Sequence, residues 1–340
     1  MAAAGGDEKQ GPDMRRGLVI GKFMPPHKGH LALIEFGLQH SDELIVFLCY
    51  HAGEPIPGAQ RGYWLRQLLK NKVKVIVQEH EFDQEKLSDS SQASWEESKK
   101  WSSVIKKLFP DLSVVFSSEA YGAYLAHFLC VEHVAYDESR KYFPVSASQI
   151  RKNPVLFWDY LPSLVQPWFV QKICLLGTES TGKSTLVLRL ADHYHTVYVP
   201  EMAREVIGHT NECRPEDLLE IARRQAEKIR EQAHKANRFL FIDTDLNITR
   251  SYAQFLFGAA LEVPRWIEEA NQCQLYLYLD PDCPYVQDGT RLTGKERLLL
   301  DASHKEQLKS NQINCRLING DWEERFSLVC SIIEQSYSMG

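Results

Sequence analysis

The chain has 340 residues, 44% of them apolar and 25% charged, an ordinary globular composition with room for two domains. Its formal net charge of −6 leaves no basic footprint for nucleic acid, and no apolar run is long enough to span a bilayer. The eight cysteines are scattered, none as Cys-x-x-Cys. That spacing argues against zinc and reads as reduced core residues of a cytoplasmic protein. Residues 1–16 are Ala/Gly-rich and polar and read as a disordered tail, without the apolar core of a targeting peptide.

From residue 17 the pattern alternates. Apolar strands are expected at Leu18–Ile20, Leu44–Tyr50, Val73–Val77, Val114–Phe116 and Val131–Ala135, with helical spacing at Leu31–Leu38, Gly62–Leu69, Trp95–Leu108 and Tyr121–Leu129. Strands alternating with helices imply a parallel sheet covered on both faces, with ligands at the carboxyl ends of its strands. Gly21-Lys22-Phe23-Met24-Pro25-Pro26-His27-Lys28-Gly29-His30 occupies that position after the first strand. Gly29 lets backbone approach a phosphate, while His27, His30 and a helix N-terminus face the same anion. Such a site stabilises the charge that builds on a triphosphate attacked at its α-phosphorus. A second anion-facing stretch closes this half. Ser146 reads as a helix cap, with Ser148 and Arg151 in the first turns behind it.

Phe157–Trp168 is aromatic, holds Pro162 and Pro167, and reads as a packed connector. Beyond it, the buried-strand pattern Ile173–Leu176 runs into Gly177-Thr178-Glu179-Ser180-Thr181-Gly182-Lys183-Ser184 and a helix from Thr185. A strand before Gly-x-x-x-x-Gly-Lys-Ser and a helix after it are the context a phosphate loop requires. Its N–H groups would wrap the β- and γ-phosphates, Lys183 would add a charge, and the Ser184 hydroxyl would ligate Mg²⁺. Val197–Val199 is a short strand leading to Glu201-Met202-Ala203-Arg204-Glu205. There Glu201 and Arg204 either reach an acceptor or form the charged first turn of a helix. Pro215–Lys235 reads as a charged helix with a solvated outer face. Phe239–Asp243 is a strand ending in an acid, the expected metal-side carboxylate or proton acceptor of a phosphate-loop enzyme. Asp245 either assists it or caps the next helix. Gln274–Leu279 and Cys315–Ile318 read as strands and Trp322–Tyr337 as the last helix. The stretch Asp280–Arg291 has the polar character of a lid, with Arg291 and Arg297 as candidates for phosphoryl charge or as solvated side chains.

The first half, through Gly21-x-Phe23-x-Pro25, His27-x-Gly29-His30 and Ser146-x-Ser148-x-Ile150-Arg151, resembles the nucleotidyltransferase superfamily, in particular nicotinamide-nucleotide adenylyltransferases. The family usually has threonine where Ser148 stands. Pro57–Leu65 and Ser117-Ser118-Glu119-x-Tyr121-Gly122 are similar to the bifunctional members. The second half resembles the ribosylnicotinamide kinase domain of those members through the phosphate loop, Glu201–Glu205, the Phe-Ile-Asp-Thr-Asp strand end and Asp288–Arg291.

The resemblance implies two tandem α/β domains with parallel sheets: a Rossmann-like adenylyltransferase at 17–160, a connector at 161–170 and a P-loop kinase at 171–340. It implies catalytic roles for His27, His30, Arg151, Lys183 and Asp243. ATP would meet Gly21, Lys22, Phe23, Gly29, Ser146 and Ser148 in the first half. In the second it would meet Gly177, Glu179, Ser180, Gly182, Lys183, Ser184, Thr185 and Arg291. Arg61, Trp64, Ser117, Ser118 and Glu119 would surround the mononucleotide, though Trp64 by itself reads equally as core. Glu201, Arg204 and Asp245 would hold the nucleoside, and Ser184 and Asp243 the Mg²⁺. The expected ligands are ATP, ribosylnicotinamide, nicotinamide mononucleotide and NAD, with neither nucleic acid nor membrane as partner and homo-oligomerisation open. Two points depart from the family: the short tail before Gly17 gives no support for a helix-turn-helix repressor role, and Met202 stands where tyrosine is common. Two alternatives are a pantetheine-phosphate adenylyltransferase fused to dephospho-coenzyme A kinase, and a nucleotide-sensing regulator with one silent site.

Overall fold

The structure is a computed structural model that describes residues 14–88, 94–207, 213–282 and 293–337. The chain forms two compact units, Met1–Val165 and Gln166–Gly340. Each is an α/β unit on an all-parallel sheet.

The first unit runs β1 (Arg16–Gly21), α1 (Lys28–Gln39), β2 (Glu43–Tyr50), α2 (Gly58–Leu69), β3 (Val75–Glu81), α3 (Trp95–Leu108), β4 (Val114–Ser117), α4 (Tyr121–Leu129), β5 (Glu132–Ala135) and α5 (Ala147–Lys152). The strand order is β3-β2-β1-β4-β5. Successive strand side chains point to opposite faces, and the core divides accordingly. Leu18, Ile20, Ile45 and Phe47 pack under α3 and α4 with Trp101, Ile105 and Leu125. Val19, Leu44, Val46 and Leu48 pack on the other face with Leu33, Ile34 and Leu65 from α1 and α2. Burial on both faces explains why β1 and β2 read as continuous apolar runs.

The second unit runs α6 (Gln166–Phe169), β6 (Gln171–Leu176), α7 (Lys183–His193), β7 (Tyr198–Val199), α8 (Ala203–Val206), α9 (Pro215–Ala233), β8 (Phe239–Asp243), α10 (Leu246–Phe257), α11 (Arg265–Asn271), β9 (Leu275–Leu279), α12 (Gly294–Ser310), β10 (Cys315–Ile318) and α13 (Trp322–Tyr337). Its strand order is β10-β9-β6-β8-β7. The central β6 is sealed by Ile173, Cys174, Leu175 and Leu176. The register pairs Leu175 with Asp243, so β6 and β8 deliver the phosphate loop and the terminal acid to the same edge.

Two expectations need correction. The helix α9 is amphipathic and half-buried, because Leu218, Ile221, Ala222, Gln225, Ala226 and Ile229 form an inward stripe at helical spacing. The charged residues around that stripe masked it in the sequence. Arg297 and Asp301 lie on the buried side of α12, whereas a solvated loop was one reading of that region. The lid candidates Asp288–Arg291 lie outside the described residues. Among those described, all seven cysteines are free thiols, and no helix is long and apolar enough to cross a membrane.

Candidate functional site

In the first unit β1 and β4 are neighbours whose following helices cover opposite faces of the sheet. That is the switch point at which parallel sheets hold ligands. His27 caps α1 with an extended backbone (φ −136°, ψ 170°), and its N–H donates to His30 Nδ1 at 3.3 Å. The two imidazoles stack with centroids 3.7 Å apart and planes 29° from parallel. Phe23 meets His30 edge-on at 5.1 Å. Glycine at 29 serves this packing as well as phosphate approach: a Cβ there would lie 3.1 Å from the His27 ring and 3.2 Å from Phe143 Cβ.

Burial lowers the His27 imidazole to about 4, and the Arg140 charge acts in the same direction. His30 falls well below its ordinary 6.5, first through burial and then through His27 and Arg140. At neutral pH both rings are therefore neutral N–H donors, and cationic charge comes from elsewhere. Arg151 donates to the Met24 carbonyl and, at 3.3 Å, to Ser148 Oγ. This ties the second anion-facing stretch to the first. Ser146 caps α5 as expected, its Oγ accepting from the Gln149 N–H at 3.2 Å. Lys22 Nζ lies 2.9 Å from the Glu54 carboxylate. Arg61 pairs with Glu54 and donates to the Lys22 carbonyl at 2.7 Å.

The residues expected around the mononucleotide divide. Arg61 is 0% exposed and engaged by Glu54 and Lys22. Trp64, 2% exposed, takes the core position. Ser117 is buried too: it donates to the Glu119 carbonyl at 2.9 Å and bonds His133 Nε2 at 2.9 Å. These three side chains are interior supports in this conformation, and only Ser118 and Glu119 are partly exposed. Glu119 pairs with Arg140 at 2.8 Å, and Arg140 also donates to the Val145 carbonyl at 3.0 Å. Arg140 was missed in the sequence because Asp137–Lys141 reads as a solvated charge run. Glu54 was missed because it sits in a Pro/Gly turn.

In the second unit the loop backbone shows why glycine is required at two places. Gly177 has φ +138° and a Cβ there would lie 2.7 Å from the Leu279 carbonyl oxygen. Gly182 has φ +85° and a Cβ would overlap the Trp322 ring. Both φ values lie where L side chains are strained. Lys183 Nζ donates to the Thr178 carbonyl at 2.9 Å. Ser184 Oγ donates to Asp243 Oδ2 at 2.5 Å, and Arg204 Nη2 reaches the same hydroxyl at 3.4 Å. Arg204 Nε lies 3.4 Å from Glu201. The Glu201 carboxyl is held above its ordinary range by loss of water; Lys183 opposes this and Asp243 adds to it. Tyr252 donates to Glu179 Oε1 at 3.5 Å. Lys183, Ser184, Asp243, Glu201 and Arg204 are thus brought together.

Asp245 is not part of that group. Its Oδ1 accepts from the Asn247 and Ile248 N–H groups at 3.0 and 3.3 Å, and its Oδ2 from the Asn247 side chain at 2.6 Å. Both oxygens are used as the cap of α10, the second of the two readings. Two positioning residues had escaped the sequence. Gln225 Nε2 donates to the Thr244 carbonyl at 3.0 Å, and its Oε1 accepts from the Met202 N–H at 3.1 Å. A glutamine on the apolar stripe of α9 was the available signal. Arg325 on α13, 2% exposed, donates to the Thr181, Gly320 and Asp280 carbonyls at 2.7, 2.8 and 3.0 Å and pairs with Asp282. It carried no local signal.

Comparison with known proteins follows the same division. A cytidylyltransferase-like family model matches residues 18–153 and an AAA domain model matches residues 172–325. A solved structure of NadR protein in complex with NAD and AMP-PNP superposes with a TM-score of 0.73 at 19% identity, covering 96% of each chain. A second, in complex with NR, gives 0.71 at 20% identity, covering 95% of this chain and 96% of that one. These establish the shared fold. The trifunctional NAD biosynthesis/regulator protein NadR of Salmonella typhimurium is 29% identical over 94% of this chain and 82% of its own length. With its Escherichia coli counterpart 30% identical over the same shares, the chain belongs to the NadR family.

Proposed function

We propose that this chain performs two consecutive steps of NAD biosynthesis: phosphorylation of ribosylnicotinamide to nicotinamide mononucleotide, and adenylation of that mononucleotide by ATP to NAD and pyrophosphate. One observation carries the reading. Both phosphate-facing constellations stand in one chain, and the similarity to NadR relatives runs over 94% of this chain and 82% of theirs.

In the first unit, a mononucleotide phosphate oxygen attacks the α-phosphorus of ATP, and the bond to the pyrophosphate oxygen breaks. His27 and His30 supply neutral N–H donors where charge builds. Arg151, Lys22 and Arg140 supply positive charge around them, and the hydroxyls of Ser146 and Ser148 lie on the same helix start. Alignment of the two phosphates for in-line attack supplies much of the acceleration.

In the second unit, the 5′-hydroxyl oxygen of the nucleoside attacks the γ-phosphorus, the γ-phosphorus bond to the ADP oxygen breaks, and the hydroxyl proton passes to a carboxylate of the site. The loop N–H groups and Lys183 hold the phosphates, and Glu201 and Arg204 orient the nucleoside beside Ser184. The adjacent Ser184 hydroxyl and Asp243 carboxylate are hard oxygen donors that suit Mg²⁺. When bound, Mg²⁺ neutralises charge on the transferring phosphoryl.

The test is incubation with Mg-ATP and ribosylnicotinamide while both products are followed. Wild type makes mononucleotide and NAD. Lys183→Ala makes neither yet still converts supplied mononucleotide to NAD, and His30→Ala stops at mononucleotide. Turnover of pantetheine substrates in their place would overturn the assignment.

A further inference from the structure

We infer that Glu54 is a positioning residue of the adenylyltransferase unit, the anionic pivot that fixes Lys22 and Arg61 relative to His27 and His30. This rests on the adenylyl-transfer reading above.

The Glu54 side chain is 2% exposed and lies in the turn between β2 and α2. One oxygen lies 2.9 Å from Lys22 Nζ, and the other is bound by Arg61 Nη2. His51 Nε2 stands 3.7 Å away. Arg61 returns to the same segment by donating to the Lys22 carbonyl at 2.7 Å. A closed ring results: Lys22 side chain, Glu54, Arg61, Lys22 backbone. Lys22 follows β1 directly and precedes the His27 cap by five positions. Locking its backbone and side chain therefore sets the path of the loop that ends in the stacked imidazoles. The opposite wall of that loop is held by Arg151 on the Met24 carbonyl, and Arg151 feels both the Glu54 and Arg61 charges.

The charge count explains why an acid belongs in a site for anionic ligands. Lys22 and Arg61 are both drawn in from solvent, and two cations held close repel strongly where water is scarce. Glu54 offsets one of them, leaving a net single positive charge in the ring with Arg151 beside it. The acid thus organises the cations without cancelling the site's attraction for phosphate. A buried ion pair of this kind contributes geometry more dependably than net stability.

Glu54→Gln keeps the shape and removes the charge, so Lys22 and Arg61 lose their common anchor. Misplacement of reacting groups by about 1 Å costs on the order of 100-fold in rate. The variant is expected to lose roughly 10- to 100-fold in adenylyltransferase kcat, with KM for ATP and mononucleotide unchanged or lower, because the site gains net positive charge. A general structural defect would lower apparent kcat only in proportion to folded protein, a fraction that circular dichroism and thermal melts of the same samples measure. Kinase turnover by the same chain is the internal control and is expected to be unchanged.

A double-mutant cycle gives the second readout. If Glu54 acts through Lys22, Lys22→Met and Lys22→Met/Glu54→Gln have the same kcat within about twofold. Glu54→Asp keeps the charge and is expected to recover part of the loss. Wild-type kcat in Glu54→Gln, or additive losses in the double variant, overturns the role of Glu54. Absence of NAD formation by the wild-type chain would instead overturn the function on which it rests, so the two failures are separable.

Discussion

Two stacked imidazoles share one wall of the first site, and burial keeps both of them neutral. For His27 the consequence can be worked out with its sign. Unfolded, the ring titrates near 6.5; folded, it titrates at about 4. Between those values the unfolded chain binds a proton that the folded chain does not. Stability from this group is therefore complete above the unfolded value and is lost as pH falls through the window. His30 is shifted the same way. His27→Asn removes one titrating ring, so its melting temperature should fall less than that of wild type between about pH 7 and about pH 5. Equal falls in thermal melts at the two pH values would show that the ring is not held neutral in the folded chain. The same neutrality assigns the histidines to hydrogen bonding and leaves charge to Lys22, Arg140 and Arg151. No spacing in the sequence carried that division, because it depends on how deeply His27 is buried and on Arg140, more than one hundred residues away.

At the scale of elements, the phosphate loop is held from behind by the N-terminal turn of α13. Trp322 lies against Gly182, and Arg325 joins the loop carbonyl of Thr181 to the ends of β9 and β10 through Asp280, Asp282 and Gly320. Arg189 of α7 completes the brace with two bonds to Glu323 at 2.8 and 2.7 Å. Arg325→Met should cost about 3 kcal/mol, since it removes one partner of a buried pair and leaves several acceptors unmet. It should also raise the kinase KM for ATP while adenylyltransferase turnover stays at wild type. Denaturant titration together with the two assays checks this, and an unchanged KM would mean that α13 does not shape the loop. The loop itself was legible in the sequence, since strand, glycines, Lys183 and Ser184 are contiguous. So were most strands, because burial on both faces leaves apolar runs. The brace was not, because Arg325 reaches Thr181 across 144 positions. Asp245 shows the converse limit: next to Asp243 it had two chemical readings, and only the hydrogen bonds at the start of α10 separate them.

At the scale of the whole molecule, each reaction has its own sheet, core and phosphate-facing strand edge. The two matched families fall on either side of the division at Val165 and Gln166. The intermediate between the two reactions is a phosphate ester, and the groups proposed to recognise it differ in the two units. Lys183, Ser184 and Arg204, which stand together at the loop, would surround the phosphate as it is made. Lys22, Arg140 and Arg151 would surround the place where it is used. Neither set lacks a member that the other provides, so release and rebinding is the simplest route. The expected outcome is specific. Labelled ribosylnicotinamide supplied with Mg-ATP and excess unlabelled mononucleotide should give NAD whose label is diluted to the ratio of the pool. A mixture of Lys183→Ala and His30→Ala chains should restore NAD formation after a lag set by accumulation of mononucleotide. Label retained well above the pool ratio, with no rescue in the mixture, would show that the mononucleotide passes from one site to the other without entering solution. The fusion would then serve transfer, and not merely joint production of the two activities.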